Sequence, residues 1–375
     1  MKQYLNGSEK TMNNLTEEKI TSLLCSIYEN YGYNRFKMSK FEQYSLYLEN
    51  KDFLTSDRIV TFTDNTGRLL ALKPDVTLSI VKGAVDKKSE CEKVYYNENV
   101  YRASKGDGEF RELTQIGVEY IAELDLYSVF EVIVLAHKSL AVISDEYMLA
   151  LSSMKFLSAA LDKIEDGSIK KEILDCVSKK NVHTLKAILS ENAVDENVSS
   201  CLVTLTSLFG DFDSCIDKLS EISVNAKTDE VLFELRRLSA LLKQAGLYEK
   251  TVMDFSIVND MSYYNGITFQ GFINGVSQSV LSGGEYGKLL KKFSSSLGAI
   301  GFAVYMDALE RLTSNKSFDA DVFLLYCDEV DERKLYSCVD GLIKSGLSVR
   351  SGKTLPERVR FKKIMKFDGE TLSDE

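Results

Sequence analysis

The sequence predicts an α+β chain: an antiparallel sheet flanked by helices, a helical insertion, and a small C-terminal α/β module. Three observations carry this. Val94–Tyr120 consists of two β-like runs, the first rich in Val and Tyr, separated by a polar, Gly-containing break at Ala103–Gly108, which is the pattern of an antiparallel hairpin. From about Ser152 to Gln244 one amphipathic segment succeeds another, within the proline-free stretch between Pro74 and Pro356. After the polar link Thr313–Ser317 the chain closes on a β-α-β pattern. The expected division is a core of residues 1–151 and 246–315, an insertion of 152–245 and a module of 318–375.

In chain order, Asn13–Tyr31 reads as a helix. Thr16 is in N-cap position, Glu17 and Glu18 occupy the first turn, and Ile20, Leu23, Leu24, Ile27 and Tyr31 recur at helical spacing before Gly32. Gly32–Leu48 reads as a strand running into a helix. Arg58–Thr63 and Leu69–Leu72 flank the turn Asp64–Gly67, a second hairpin. Leu72–Thr77 (LKPDVT) is extended before its proline and opens a helix through Val85. Ser128–Ser144 is apolar at helical spacing, and Tyr147–Leu151 is a strand. Within the insertion the clearest helical segments are Ile169–Val177, Val182–Leu189 and Val231–Leu242. Further strands lie at Val252–Val258, Ile267–Ile273 and Ser279–Leu281, and Gly298–Leu312 reads as a strand turning into a helix. In the tail, Ala320–Tyr326 and Leu347–Arg350 are strands around a helix at Glu332–Ser345, ahead of Arg358–Phe367.

Composition narrows the function. A hydrophobic fraction of 44% and a charged fraction of 27% are those of an ordinary soluble globular protein. No apolar run approaches the roughly 18 residues of a membrane helix, and Met1–Lys10 has no signal-peptide core. Seven cysteines without CxxC spacing argue against zinc and a disulfide framework, and for a reducing cytoplasm. A net charge of -10 gives no general basic footprint for nucleic acid. No metal or cofactor is expected.

Side chains alternate along a strand, so Arg111, Leu113, Gln115, Gly117 and Glu119 share one face, with Ile116, Val118 and Tyr120 on the core side. An amide, a gap and a carboxylate in a row make either a ligand floor or a solvated sheet face. Asp75 and Thr77, alone, read first as helix caps. A lone helical His137 reads as packed or solvated, and His183 has no identifiable partner. Gly283–Gly287 matches neither GxGxxG nor a Walker A loop; a sheet bend or close backbone approach is the better reading.

LKPDVT, VYRASKGDGEFRELTQIGVEY, SYYNGITF, LSGGEYGKLL and IGFAVYMDALERL stand in the order found in histidyl-tRNA synthetases, which the chain resembles from Asn14 to about Leu312. The match is closer still to their catalytically silent relatives, the ATP phosphoribosyltransferase regulatory subunits. The resemblance implies a class II aminoacyl-tRNA synthetase-like antiparallel sheet. It also implies a histidine pocket: Asp75 and Thr77 for the α-amino group, Gln115 and Glu119 for backbone atoms and imidazole, Tyr263 and Tyr264 in the histidine-specific loop, and Arg102 at the motif 2 arginine. Imidazole needs partners on both nitrogens, and carboxylates bind ammonium or imidazole N–H with charge assistance. With the resemblance, Gln115, Glu119, Asp75 and Thr77 all lean to ligand contact, and Glu119 is expected to face a wet pocket.

The activation machinery of a synthetase departs from pattern. Asn259 stands where an RGLDYY-like run has its arginine, Ala308 replaces the ATP-binding arginine of motif 3, and Tyr305 replaces a small glycine, with its ring expected to intrude on the adenine site. Ser104, Glu109 and Glu285 replace further motif residues, and Ser39 the motif 1 proline. Losing one transition-state arginine typically costs ~10²-fold or more. The resemblance therefore implies a non-enzymatic subunit that binds L-histidine as a feedback signal. Its implied partner is the short-form catalytic subunit of ATP phosphoribosyltransferase, in a hetero-oligomer built on a homodimer. The segment beyond Ser317 is about half an anticodon domain, which makes tRNA unlikely as a partner. The alternatives are a true histidine–tRNA ligase and a histidine sensor for another protein.

Overall fold

The structure is a computed structural model and describes residues 16–54, 58–87, 90–104, 108–257, 263–293, 295–309, 318–357 and 359–374. The first helix, α1 (Glu17–Asn30), is capped by the Thr16 hydroxyl, which accepts from the Lys19 N–H. It buries Ile20, Leu24 and Tyr28, and the chain leaves it through Gly32 at φ +80°. Then come β1 (Asn34–Arg35), β2 (Phe41–Gln43) and α2 (Tyr44–Glu49). The hairpin β3 (Thr61–Thr63) and β4 (Leu69–Leu72) turns at Asp64, whose carboxylate accepts from the N–H groups of Thr66 and Arg68, with Gly67 at φ +83°. With β2 it makes a three-stranded sheet, order β2-β4-β3.

After α3 (Thr77–Asp86), β5 (Glu92–Ala103) and β6 (Phe110–Ala122) form the long antiparallel hairpin anticipated at Val94–Tyr120. Helix α4 (Leu126–Ile143) comes next, with an Asp125–Ser128 capping box. It runs 18 residues and is long and apolar enough to cross a membrane by length and composition, contrary to the expectation that no such run exists. Val132, Ile133, Leu135, Ala136 and Leu140 are fully buried, which is how a core helix meets the same test.

Strand β7 (Tyr147–Ser153) leads into the helical segment: α5 (Met154–Ala160), α6 (Gly167–Ser178), α7 (Val182–Glu191), α8 (Glu196–Ser207), the short β8 (Phe209–Asp211), α9 (Phe212–Glu221) and α10 (Ala226–Gln244). Asp166, Asn181, Asp195, Asp211 and Asn225 each cap the helix that begins just after them. The amphipathic periodicity of the sequence is thus a bundle of capped helices. β8 is the one element there that helical periodicity does not foretell.

The chain returns through β9 (Thr251–Asp254), β10 (Ile267–Ile273), β11 (Leu281–Tyr286), α11 (Lys288–Lys292) and β12 (Gly298–Tyr305). Gly283 and Gly284 therefore lie within strand β11, and Gly287 follows it as the residue ahead of α11. A Cβ at Gly283 would stand 2.3 Å from the Gly301 carbonyl oxygen and one at Gly284 2.8 Å from that of Ile267, so close backbone approach is the reason for both glycines. The large sheet has nine strands in the order β1-β5-β6-β12-β11-β10-β7-β9-β8. It is antiparallel except at β1–β5 and β7–β9. Beyond β12 a 3₁₀ turn at Asp307–Leu309 replaces the first turn of the expected helix, and the remainder of that helix lies outside the described residues.

By contacts the chain divides into two compact units, residues 1–310 and 311–375. The smaller one has β13 (Ala320–Tyr326), α12 (Glu332–Lys344), β14 (Val349–Gly352), β15 (Phe361–Phe367) and β16 (Leu372–Asp374). Its sheet runs β14-β13-β15-β16, with Leu324, Val330 and Phe367 at its core.

Candidate functional site

The β5–β6–β12–β11 part of the large sheet forms the floor of a cavity of about 380 Å³, a size suited to a small ligand. All seven residues singled out as ligand contacts line it: Asp75, Thr77, Arg102, Gln115, Glu119, Tyr263 and Tyr264. Strand alternation places Gln115, Gly117 and Glu119 on this face, while Ile116 and Val118 are buried on the other. In register, Glu119 lies opposite Val94 and Gly301, Gly117 opposite Tyr96 and Ala303, and Gln115 opposite Glu98 and Tyr305.

Glu119 is the centre of the cavity. It is only 3% exposed, buried at the cavity wall and not freely solvated. One carboxylate oxygen accepts from the Thr77 hydroxyl at 2.7 Å, the other from the Tyr286 hydroxyl at 2.6 Å. Burial pushes its pKa up to about 8. The two hydroxyl contacts pull it down, and the nearby Asp75 charge raises it further. Glu119 therefore holds its proton near neutrality, and one of the two hydroxyls then accepts instead of donating.

Asp75 does two things. One oxygen accepts from the Leu78 N–H at 2.9 Å, the capping role read from its position, and the other lies 3.5 Å from an Arg102 guanidinium nitrogen. Desolvation raises its carboxyl pKa, against the lowering influence of Arg102. Arg102 also donates through Nε to the Pro74 carbonyl at 2.7 Å, so the LKPD segment is pinned to β5. Thr77, the first residue of α3, does not cap; its hydroxyl is committed to Glu119.

Aromatic rings line much of the cavity. Tyr263 packs against Tyr264 with centroids 4.7 Å apart and against Tyr286 at 5.4 Å. Burial lifts the phenol pKa of Tyr96, Tyr263 and Tyr286 well above its ordinary value, and that of Tyr264 and Tyr305 upward as well, so they act here as neutral hydroxyls. Tyr305 lines the same cavity, next to Arg102. Asn259 lies outside the described residues.

Three contributors, Tyr286, Tyr96 and Gly301, escaped the sequence reading, which had Gly117 only as the gap between Gln115 and Glu119. Tyr286 sits on β11 on the same face as Ser282, and Tyr96 stands across from Gly117 on β5. Gly117 and Gly301 make the space: a Cβ at Gly301 would be 1.9 Å from a Glu119 carboxylate oxygen, and one at Gly117 2.6 Å from the Tyr96 hydroxyl. The glycine within a strand opposite a predicted polar residue was the available signal. His137 is fully buried, with Nε2 3.1 Å from the Thr251 hydroxyl, a packed histidine as expected. Glu285 is also buried, away from this cavity, and accepts from the Ile267 N–H.

The sequence pattern of histidyl-tRNA synthetases matches residues 11–309, most of the chain. A regulatory subunit of ATP phosphoribosyltransferase from Clostridium acetobutylicum is 28% identical over 348 residues, covering 88% of this chain and 84% of that one. An ATP phosphoribosyltransferase regulatory subunit/histidyl-tRNA synthetase from Bacillus halodurans superposes with a TM-score of 0.77 at 22% identity, over 99% of this chain and 100% of its own. A chain of the HisG:HisZ ATP phosphoribosyl transferase complex from Thermotoga maritima gives 0.62 at 16% identity, over 78% of this chain and 98% of that one. These findings bear out the class II synthetase-like fold and the resemblance read from the motifs. The chain belongs to the histidyl-tRNA synthetase family.

Proposed function

We infer that this chain is a regulatory subunit of ATP phosphoribosyltransferase that binds L-histidine in the Glu119 cavity and carries no catalytic activity of its own. The observation that carries the reading is the pairing, in one cavity, of a fixed carboxyl (Glu119) with an Asp75–Arg102 ion pair. An amino acid brings an ammonium and a carboxylate, which match Asp75 and Arg102. An imidazole brings a donor and an acceptor, which match Glu119 or Gln115 on one side and a tyrosine hydroxyl on the other.

Tyr305 in the cavity wall, with Ala308 in place of a cation beyond it, supports histidine without ATP activation. The relatives' names and the HisG:HisZ complex support a short-form catalytic subunit as partner, in a cytoplasmic hetero-oligomer built on a homodimer of this chain. The helical segment of residues 152–245 and the tail from 318 would be the accessories of that core.

Two measurements test this. Calorimetry should detect L-histidine binding and no ATP binding. A pyrophosphate exchange assay should show no histidine-dependent incorporation into ATP; measurable exchange would identify a histidine–tRNA ligase instead.

A further inference from the structure

Strand β11 has two working faces. Ser282 and Tyr286 point into the cavity described above, while Glu285 points to the opposite, helix-covered side. There it borders a smaller cavity of about 170 Å³ together with Lys155, Glu234 and Arg237. A carboxylate at a buried strand position is costly unless it is partnered, so its partners indicate its purpose.

Those partners converge on the short segment that carries the two cavity tyrosines. Pairing of β10 with β11 begins at Thr268, and the Glu285 carboxylate takes the N–H one residue earlier, from Ile267, at 2.8 Å. The Glu285 carbonyl accepts from the Asn265 N–H at 3.0 Å, and the Asn265 side chain accepts in turn from the Gly287 N–H at 3.1 Å. Gly266 lies directly against the carboxylate, since a Cβ there would stand 2.2 Å from Glu285 Cδ. The Gly266 carbonyl accepts from the N–H of Met154, the first residue of α5, at 2.8 Å. The next residue, Lys155, places its ammonium 3.8 Å from Glu285 and 3.2 Å from Glu234 on α10.

We propose that Glu285 is a positioning residue for the ligand cavity: it fixes the Tyr263–Ile267 segment and links it, through Lys155, to the helical segment at α5 and α10. The proposal rests on the histidine reading of the cavity. Movement of α10 against the sheet would alter the Lys155 contact first, then the anchoring of Ile267, then the tyrosines over the ligand.

The test combines histidine calorimetry with hydrogen exchange at Asn265–Ile267 in the unliganded full chain, for Glu285→Ala, Glu285→Gln and Lys155→Gln. Glu285→Ala should speed exchange at Ile267 and weaken histidine binding by about fivefold or more. Glu285→Gln, which keeps an acceptor oxygen, should restore most of both. Lys155→Gln, at a half-exposed site, should speed exchange at Ile267 to a smaller degree, weaken binding about two- to threefold and add nothing in the Glu285→Gln background. Wild-type exchange in Glu285→Ala, or in Lys155→Gln should the alanine variant not fold, overturns the anchoring. Faster exchange with unchanged histidine affinity overturns the positioning role. A wild-type chain that binds no histidine refutes the ligand reading, and the anchoring then stands or falls on exchange alone.

Discussion

At Glu119 the chemistry of a single side chain sets a pH dependence. Its folded pKa of about 8 lies above the 4.5 of an exposed glutamate, so the folded chain holds this proton more tightly than the unfolded one. The stabilisation is fully present below about 4.5 and is lost as pH rises through about 8. Glu119→Gln, a permanent mimic of the protonated form, should therefore melt with a flatter pH profile across that window than the wild type, as read by thermal unfolding. Its histidine affinity should fall about tenfold or more below that of the wild type as pH rises through about 8, where the wild-type carboxyl ionises and gives a charge-assisted bond that a neutral amide cannot. Alanine is a poorer probe here, because it would leave the Thr77 and Tyr286 hydroxyls without their buried partner. The polar site residues were legible because they sit in motifs or at period-two positions. Tyr96 and Tyr286 were not, because an aromatic residue in a strand reads as core until its hydroxyl is seen to face a carboxylate. The burial of Glu119 was illegible for a similar reason: it depends on rings brought from β5, β11 and the 263–264 segment, far apart in sequence.

Among the elements, α4 shows what periodicity can and cannot convey. Its position and core character were plain from the spacing, and His137 was rightly read as packed. Its place under the sheet, touching β10 and β12, was not in the pattern. Burial depresses the His137 pKa to about 4, helped by the Lys250 charge, so the folded chain keeps the ring neutral where the unfolded chain would protonate it. This contribution is present above about 6.5 and lost as pH falls through about 4, up to roughly 3 kcal/mol. Urea midpoints should fall between neutral and acid pH in the wild type and fall less in His137→Gln, which can still bond Thr251. Strand β11 is the converse case. Its glycines obscured a strand that sequence propensity disfavours, and backbone crowding against Gly301 and Ile267, a long-range fact, is what selects them.

For the whole molecule, feedback through this chain requires that ligand occupancy distinguish two states of a complex. Linkage makes the effect reciprocal, so in the proposed assembly phosphoribosyl pyrophosphate should weaken histidine binding by the same factor that histidine weakens its own. Titrating histidine into the assembled complex with and without that substrate measures both arms; equal affinities, together with partner activity unchanged on adding this chain, would sink the regulatory reading.

The Arg102–Asp75 contact also bears on which molecules the cavity accepts. Within the cavity those two charges neutralise each other at 3.5 Å. A zwitterion can enter by exchange of ion pairs: its ammonium takes over Asp75 as its carboxylate draws Arg102, and no charge is stranded. Histamine, which has the same imidazole and amine but no carboxylate, must compete with Arg102 for Asp75 and leaves the guanidinium unanswered. It should bind at least about tenfold more weakly than histidine, and the gap should narrow in Arg102→Met, where there is no cation left to satisfy.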